Sequence, residues 1–176
     1  MNNELSFLGT EFLTWLWFKV ESGESTFRLD GEVEVGVALS DYLSIAGDDD
    51  STEQTLRKGL PTRAPEATAS LACGKRLTRA RIIVAEGNEE WALTINGGQL
   101  AFSSVRAANS DPDETNDTRD LSRMHSYVRI GEIIDEIYRA FLTERLAPEF
   151  SDSVVPKMRA WVNDRQAQLP STVPYR

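Results

Sequence analysis

The chain offers few residues able to do catalytic chemistry. It has one histidine, His125, and one cysteine, Cys73. Any Ser-His-Asp or Cys-His relay has to pass through His125. It lies between Met124 and Ser126 in a helical pattern, with no nucleophile-elbow sequence beside it. It reads as an ordinary helix-surface or core-edge histidine, and Cys73 as a small buried residue. The run Asp48-Asp49-Asp50 cannot turn all its carboxylates one way without a tight loop. Asp111, Asp113 and Asp117 have the opening spacing of a calcium loop, but Asn116 and Ser122 stand where its glycine and closing glutamate belong. Both acidic groups read as solvated loops. Gly97-Gly98 is turn chemistry and "ACGKRLT" lacks the spacing of a phosphate-cradling loop. No catalytic constellation, metal site or cofactor site is expected.

The exception is a charge asymmetry. Residues 56–81 hold Arg57, Lys58, Arg63, Lys75, Arg76, Arg79 and Arg81 against the single acid Glu66, in a chain of net charge −9. A basic segment in an acidic chain is the electrostatic footprint of nucleic-acid binding. The candidate contacts are Arg57, Lys58, Lys75, Arg76, Arg79 and Arg81. On a strand, Arg79 and Arg81 share one face and Arg76 points to the other. The competing reading is a solvated sheet face whose cations are paired with the chain's many carboxylates.

These residues must be positioned by a fold of 176 residues, 40% hydrophobic and 27% charged, which fits one globular domain. One cysteine excludes an internal disulfide and suits a cytoplasmic protein. The most apolar stretch, "FLGTEFLTWLWFKV" at 7–20, lacks a basic flank on its N-terminal side and is interrupted by Glu11. It is expected neither to direct export nor to span a membrane. Its apolar spacing predicts a helix over 5–20, buried on most sides around Phe12, Trp15 and Leu16 and ending near Ser22-Gly23. Gly9 inside it costs about 1 kcal/mol relative to alanine, which a close approach by another element would explain.

A β-rich half follows. Val33, Val35 and Val37 alternate with polar or small residues as in a half-buried strand. "DYLSIAG" reads as a second strand and "TEQTLRKG" as a weaker third. "PEATASLACGK" reads as a short helix between Pro65 and Gly74. Turn chemistry at Gly87-Asn88 and Gly97-Gly98 predicts a three-stranded meander over 76–86, 89–96 and 99–105. Residues 107–118 form a flexible acidic connection. From 119 to 146, Leu121, Met124, Val128, Ile134, Ile137, Phe141 and Leu142 mark a long amphipathic helix. A second helical stretch after Ala147-Pro148 is split at Pro156. Residues 169–176 form a loose tail. The expectation is an α+β domain: an antiparallel sheet of about five strands, packed with an N-terminal helix and a C-terminal helical pair.

Three stretches, "FLGTEFLTWLWFKVE", "GKRLTRARIIVAEGNEEWALTI" and "RMHSYVRIGEIIDEIYRAFLTERLAPEF…VVPKMRAWV", occur in that order. Together, over residues 5–165, they resemble the C-terminal half of long bacterial proteins of the recombination-associated RdgC-like family. The resemblance implies a non-enzymatic accessory of DNA recombination or replication, with DNA or a recombination protein as partner. The best-known members of that family bind double-stranded DNA without sequence preference and restrain recombinase activity as ring-shaped dimers. The family's DNA-contacting residues do not map onto positions here. The alternative expectation is a protein-interaction or assembly module, a homodimer or the partner of a separate subunit, without direct DNA contact.

Overall fold

The computed structural model describes residues 3–29, 33–47, 53–107 and 116–168. Its elements, in chain order, are α1 (Asn3–Glu21), β1 (Thr26–Leu29), β2 (Val33–Ala46), β3 (Gln54–Arg57), α2 (Pro65–Ala72), β4 (Arg76–Glu86), β5 (Glu89–Asn96), β6 (Ala101–Ala107), α3 (Asn116–Leu146) and α4 (Val155–Ala167). A 3₁₀ turn (Pro61–Arg63) precedes α2, and a π-helical turn (Phe150–Val154) precedes α4. The α+β class and antiparallel sheet are as the sequence predicts. The tail at 169–176, the acidic run at 48–50 and most of the 107–118 connection lie outside the described residues; β6 runs through Ala107 and α3 starts at Asn116.

Helix α1 is the centre of the core. Phe12, Leu13, Trp15, Leu16 and Trp17 are no more than 2% exposed. The helix stops where predicted: Gly23 takes φ 86°, Glu24 N–H donates to the Lys19 carbonyl and Gly23 N–H to the Val20 carbonyl, closing a Schellman cap. α2 ends the same way at Gly74 (φ 80°). Gly9 has the close neighbour its position called for. A Cβ there would stand 1.9 Å from the Gly97 carbonyl oxygen, so two glycines let α1 touch the β5–β6 turn.

All strand pairs are antiparallel, in the order β1-β2-β4-β5-β6. β1 and β3 lie end to end along the outer edge of β2, pairing with its first and last thirds. The inward residues Val35, Val37, Leu43, Ile45, Leu77, Ile82, Val84, Trp91, Leu93 and Ile95 join α1 in one buried cluster. Two boundaries differ from the sequence reading. The two strands expected before residue 47 are one 14-residue strand, because a bulge at Ser40–Tyr42 absorbs the break in alternation. β6 starts two residues late because Gly97–Leu100 forms a four-residue turn, with Leu100 at φ 50°.

In α3, Ile130, Ile133, Ile137 and Phe141 are buried, but Leu121, Met124 and Val128 are 62–67% exposed. The expected apolar face is therefore only half covered. The helix spans ~46 Å by its 31 residues, and its buried positions begin only at Ile130. Contacts that tie its lower half to the sheet include Trp91 Nε1 to Ser126 Oγ (3.3 Å), Phe102 stacked on Tyr127, and Arg129 on Glu86. The C-terminal elements are held by cations on aromatic rings. Arg165 lies 5.5 Å from Trp17 and 5.3 Å from Trp161, and donates to Glu21 and to the Thr62 carbonyl. Pro156 sits in the first turn of α4, as the expected split requires.

Candidate nucleic-acid interface

The second face of the sheet is left open. On β4 and β5, the residues alternating with the buried set, including Arg79, Arg81, Glu90, Ala92 and Thr94, are exposed or half-exposed. This face holds a concavity of about 440 Å3, lined by Asp41, Tyr42, Arg57, Lys58, Arg81, Thr94, Ser104 and Arg106. Four of its charged side chains are basic and one is acidic, in a protein whose net charge is −9.

Two ladder irregularities shape it. Leu39 pairs with Ile82 and Leu43 with Ala80, so Ser40, Asp41 and Tyr42 together oppose Arg81. On the far side, Ala92 pairs with Arg106 and Thr94 with Ser103, so Ser104 and Val105 oppose Leu93. Bulges bend strands and re-aim side chains. Here they flank the Arg81–Thr94 pair at the middle of the sheet. Two lining residues take left-handed backbone, Lys58 at φ 70° and Ser104 at φ 57°. Such conformations cost on the order of 1–2 kcal/mol in a non-glycine residue and concentrate at functional sites. Lys58 is nonetheless anchored, its N–H donating to the Asp41 carbonyl at 2.8 Å.

The polar lining is partly ordered. Tyr42 and Arg57 are direct cross-strand partners, and the Arg57 guanidinium lies 5.3 Å from the ring centroid. The Tyr42 hydroxyl shares a 3.1 Å hydrogen bond with Ser44, whose hydroxyl in turn meets Thr55 at 3.0 Å. Arg81 lies 3.6 Å from Asp41. Among the described residues, Lys58 and Arg106 make no ion pair.

Of the six cations singled out from the sequence, Arg57, Lys58 and Arg81 meet in this concavity. Arg79 is exposed two residues along β4, outside the lining. Lys75 and Arg76 stand half-buried at the start of that strand, where Arg76 pairs with Ala46. The simple alternation expected from Arg76 to Arg81 is broken by a register shift at Thr78, which puts both Leu77 and Ala80 on the buried side. Sequence reasoning missed Arg106, beyond the expected end of its strand, and Tyr42, whose facing depends on the bulge. The open alternation Arg106–Ser104 gave no local signal, since the bulge falls between them.

The other candidates do not gather into a site. His125 is exposed on α3. Cys73 is exposed, not buried as expected, because it caps α2 at the surface. Among the described residues, no three His, Cys, Asp or Glu side chains are placed to hold a metal. No described helix is long and apolar enough to cross a membrane. A second cleft of about 250 Å3 lies between α1, β1 and α3, but its Lys19 is taken up by Glu24 (2.7 Å) and Glu144 (3.1 Å). No protein-family model, curated protein or solved structure matches the chain.

Proposed function

We propose that the protein is a non-enzymatic nucleic-acid-binding accessory, acting in DNA recombination or replication as its RdgC-like sequence pattern implies, and that the open-face concavity is its contact surface. The observation that carries this reading is the convergence of Arg57, Lys58, Arg81 and Arg106 on one uncovered sheet face of an acidic protein. Affinity for nucleic acid comes largely from phosphate neutralisation, which this patch can supply locally despite the net charge. Binding is expected to be insensitive to sequence, since arginine and lysine on phosphates carry no base information. The test is fluorescence anisotropy with labelled oligonucleotides in a salt titration. Arg81→Glu/Arg106→Glu should weaken binding at least ten-fold and flatten the salt slope by about two. Equal binding by the variant, or none by wild type at low salt, overturns the proposal.

A second reading, a protein-assembly module, draws on the exposed Leu121, Met124, Tyr127 and Val128 of α3. Apolar residues grouped on one stretch of surface mark interaction sites. A concentration-independent monomeric mass by light scattering removes its homo-oligomer form.

A further inference from the structure

We infer that the ligand of the concavity is a single strand of nucleic acid rather than a duplex, and that Arg57 backed by Tyr42 is the platform on which a base stacks. This rests on the nucleic-acid reading above and specifies its substrate. Non-specific single-strand binders combine a basic groove with planar side chains that take up base faces. Both parts are present here. The Tyr42 ring is oriented by its cross-strand position and by the hydroxyl chain through Ser44 to Thr55. Arg57 is exposed and its guanidinium carbon lies 5.3 Å from the centroid of that ring, so a planar group stands open to solvent over it. A guanidinium plane stacks on bases as an aromatic ring does.

The dimensions favour a strand. The cavity volume, about 440 Å3, is that of a small-ligand site and suits one or two nucleotide units, not a rigid cylinder. A duplex keeps its base faces stacked inside, so it can reach rim cations but cannot use the platform. The cations also form a track. The strand order runs β3, β2, β4, β5, β6, so Arg57 and Arg106 arise on strands ~19 Å apart by the usual interstrand spacing. Their long side chains lean over a floor that includes the short hydroxyl residues Thr94 and Ser104. An extended strand crossing the sheet can therefore place successive phosphates near Lys58, Arg81 and Arg106 with a base on Arg57.

The deciding experiment compares a labelled oligothymidine with a hairpin duplex of equal length, by anisotropy at low salt. The strand should bind at least ten-fold tighter, with a salt slope no steeper than about −3 for four cations on a single strand. Arg57→Lys keeps the charge and removes the plane; it should weaken strand binding roughly five-fold or more and leave the salt slope unchanged. Tyr42→Ala, which removes the ring behind Arg57, should weaken strand binding by a similar factor. Duplex binding equal to or tighter than strand binding overturns the inference and leaves the nucleic-acid reading standing. Absence of binding to either overturns both. Arg57→Lys, on an exposed residue, tests the platform even if Tyr42→Ala fails to fold: wild-type affinity in that variant removes the stacking role.

Discussion

Replacing Gly9 with alanine should destabilise the protein, although the same change in most helices is stabilising. Alanine gains about 1 kcal/mol of helix propensity over glycine. Against that, the new Cβ would lie 1.9 Å from the Gly97 carbonyl oxygen, 2.8 Å from the Gly97 carbonyl carbon and 2.8 Å from Leu100 Cδ2. Two of those atoms are backbone and cannot turn away as a side chain would. Relief requires α1 to move off the β5–β6 turn, and α1 carries most of the buried aromatic residues. Overpacking of this kind costs about 1–3 kcal/mol and more where backbone must shift. The top of that range, less the propensity gain, leaves a net loss of about 2 kcal/mol. For a chain of this size that lowers Tm by roughly 4–8 °C. Gly131, in α3, is the internal control. Its Cβ would meet only Phe102, at 3.8 Å and beyond, which is ordinary contact. Gly131→Ala should therefore gain up to about 1 kcal/mol. Urea melts of the two variants beside wild type give opposite signs if the packing is as described. A Gly9→Ala protein as stable as wild type would refute the glycine–glycine contact.

Two further predictions concern charge and backbone. Hydrogen bonds from Arg129 hold the Glu86 carboxyl below its ordinary range, against the opposing effect of burial. A depressed folded-state pKa contributes stability above the unfolded carboxylate value that is lost as pH falls through the folded one. Glu86→Gln should thus cost about 1 kcal/mol at neutral pH, with its melting curve converging on wild type below roughly pH 4; a pH-independent difference would refute the linkage. Ser104→Gly should gain roughly 0.5–1 kcal/mol by relieving the φ of 57°, after the added chain entropy of glycine, while Ser104→Ala should not; a destabilised glycine variant contradicts a strained backbone there.

What was legible in the sequence was whatever short-range periodicity encodes. The α1 burial, both Gly-terminated helices, the hairpin at Gly87-Asn88 and the break at Pro156 each follow from a few adjacent residues. What was not legible depended on register between distant strands. The bulge at Ser40–Tyr42 exists only because Leu39 and Leu43 are both held against β4, and no local pattern announces that. It decides where Tyr42 and Asp41 face, and so one wall of the concavity. The β6 offset hid Arg106 in the same way. In α3, periodicity identified an apolar stripe but could not tell where the core beneath it ends. Leu121, Met124 and Val128 fit the stripe as well as Ile137 does, and only the packing separates them.

The pairing of the cations gives the open face its meaning. Acids outnumber bases 28 to 19, so an arginine placed without selection will usually find a carboxylate. The arginines that build the core follow that rule. Arg129 binds Glu86 and Glu132, Arg145 binds Glu11, and Arg165 binds Glu21, the last two also lying over aromatic rings. At the concavity, as at Arg63, Arg79 and Arg159 elsewhere among the described residues, pairing is incomplete. Asp41 is the one acid in the lining, it engages Arg81 at 3.6 Å, and Lys58 and Arg106 are left without an acid among the described residues. Mutual repulsion among like charges opposes gathering four cations here, and the left-handed Lys58 adds backbone strain to the same wall. On the proposed reading, the phosphates of a bound strand would offset both costs.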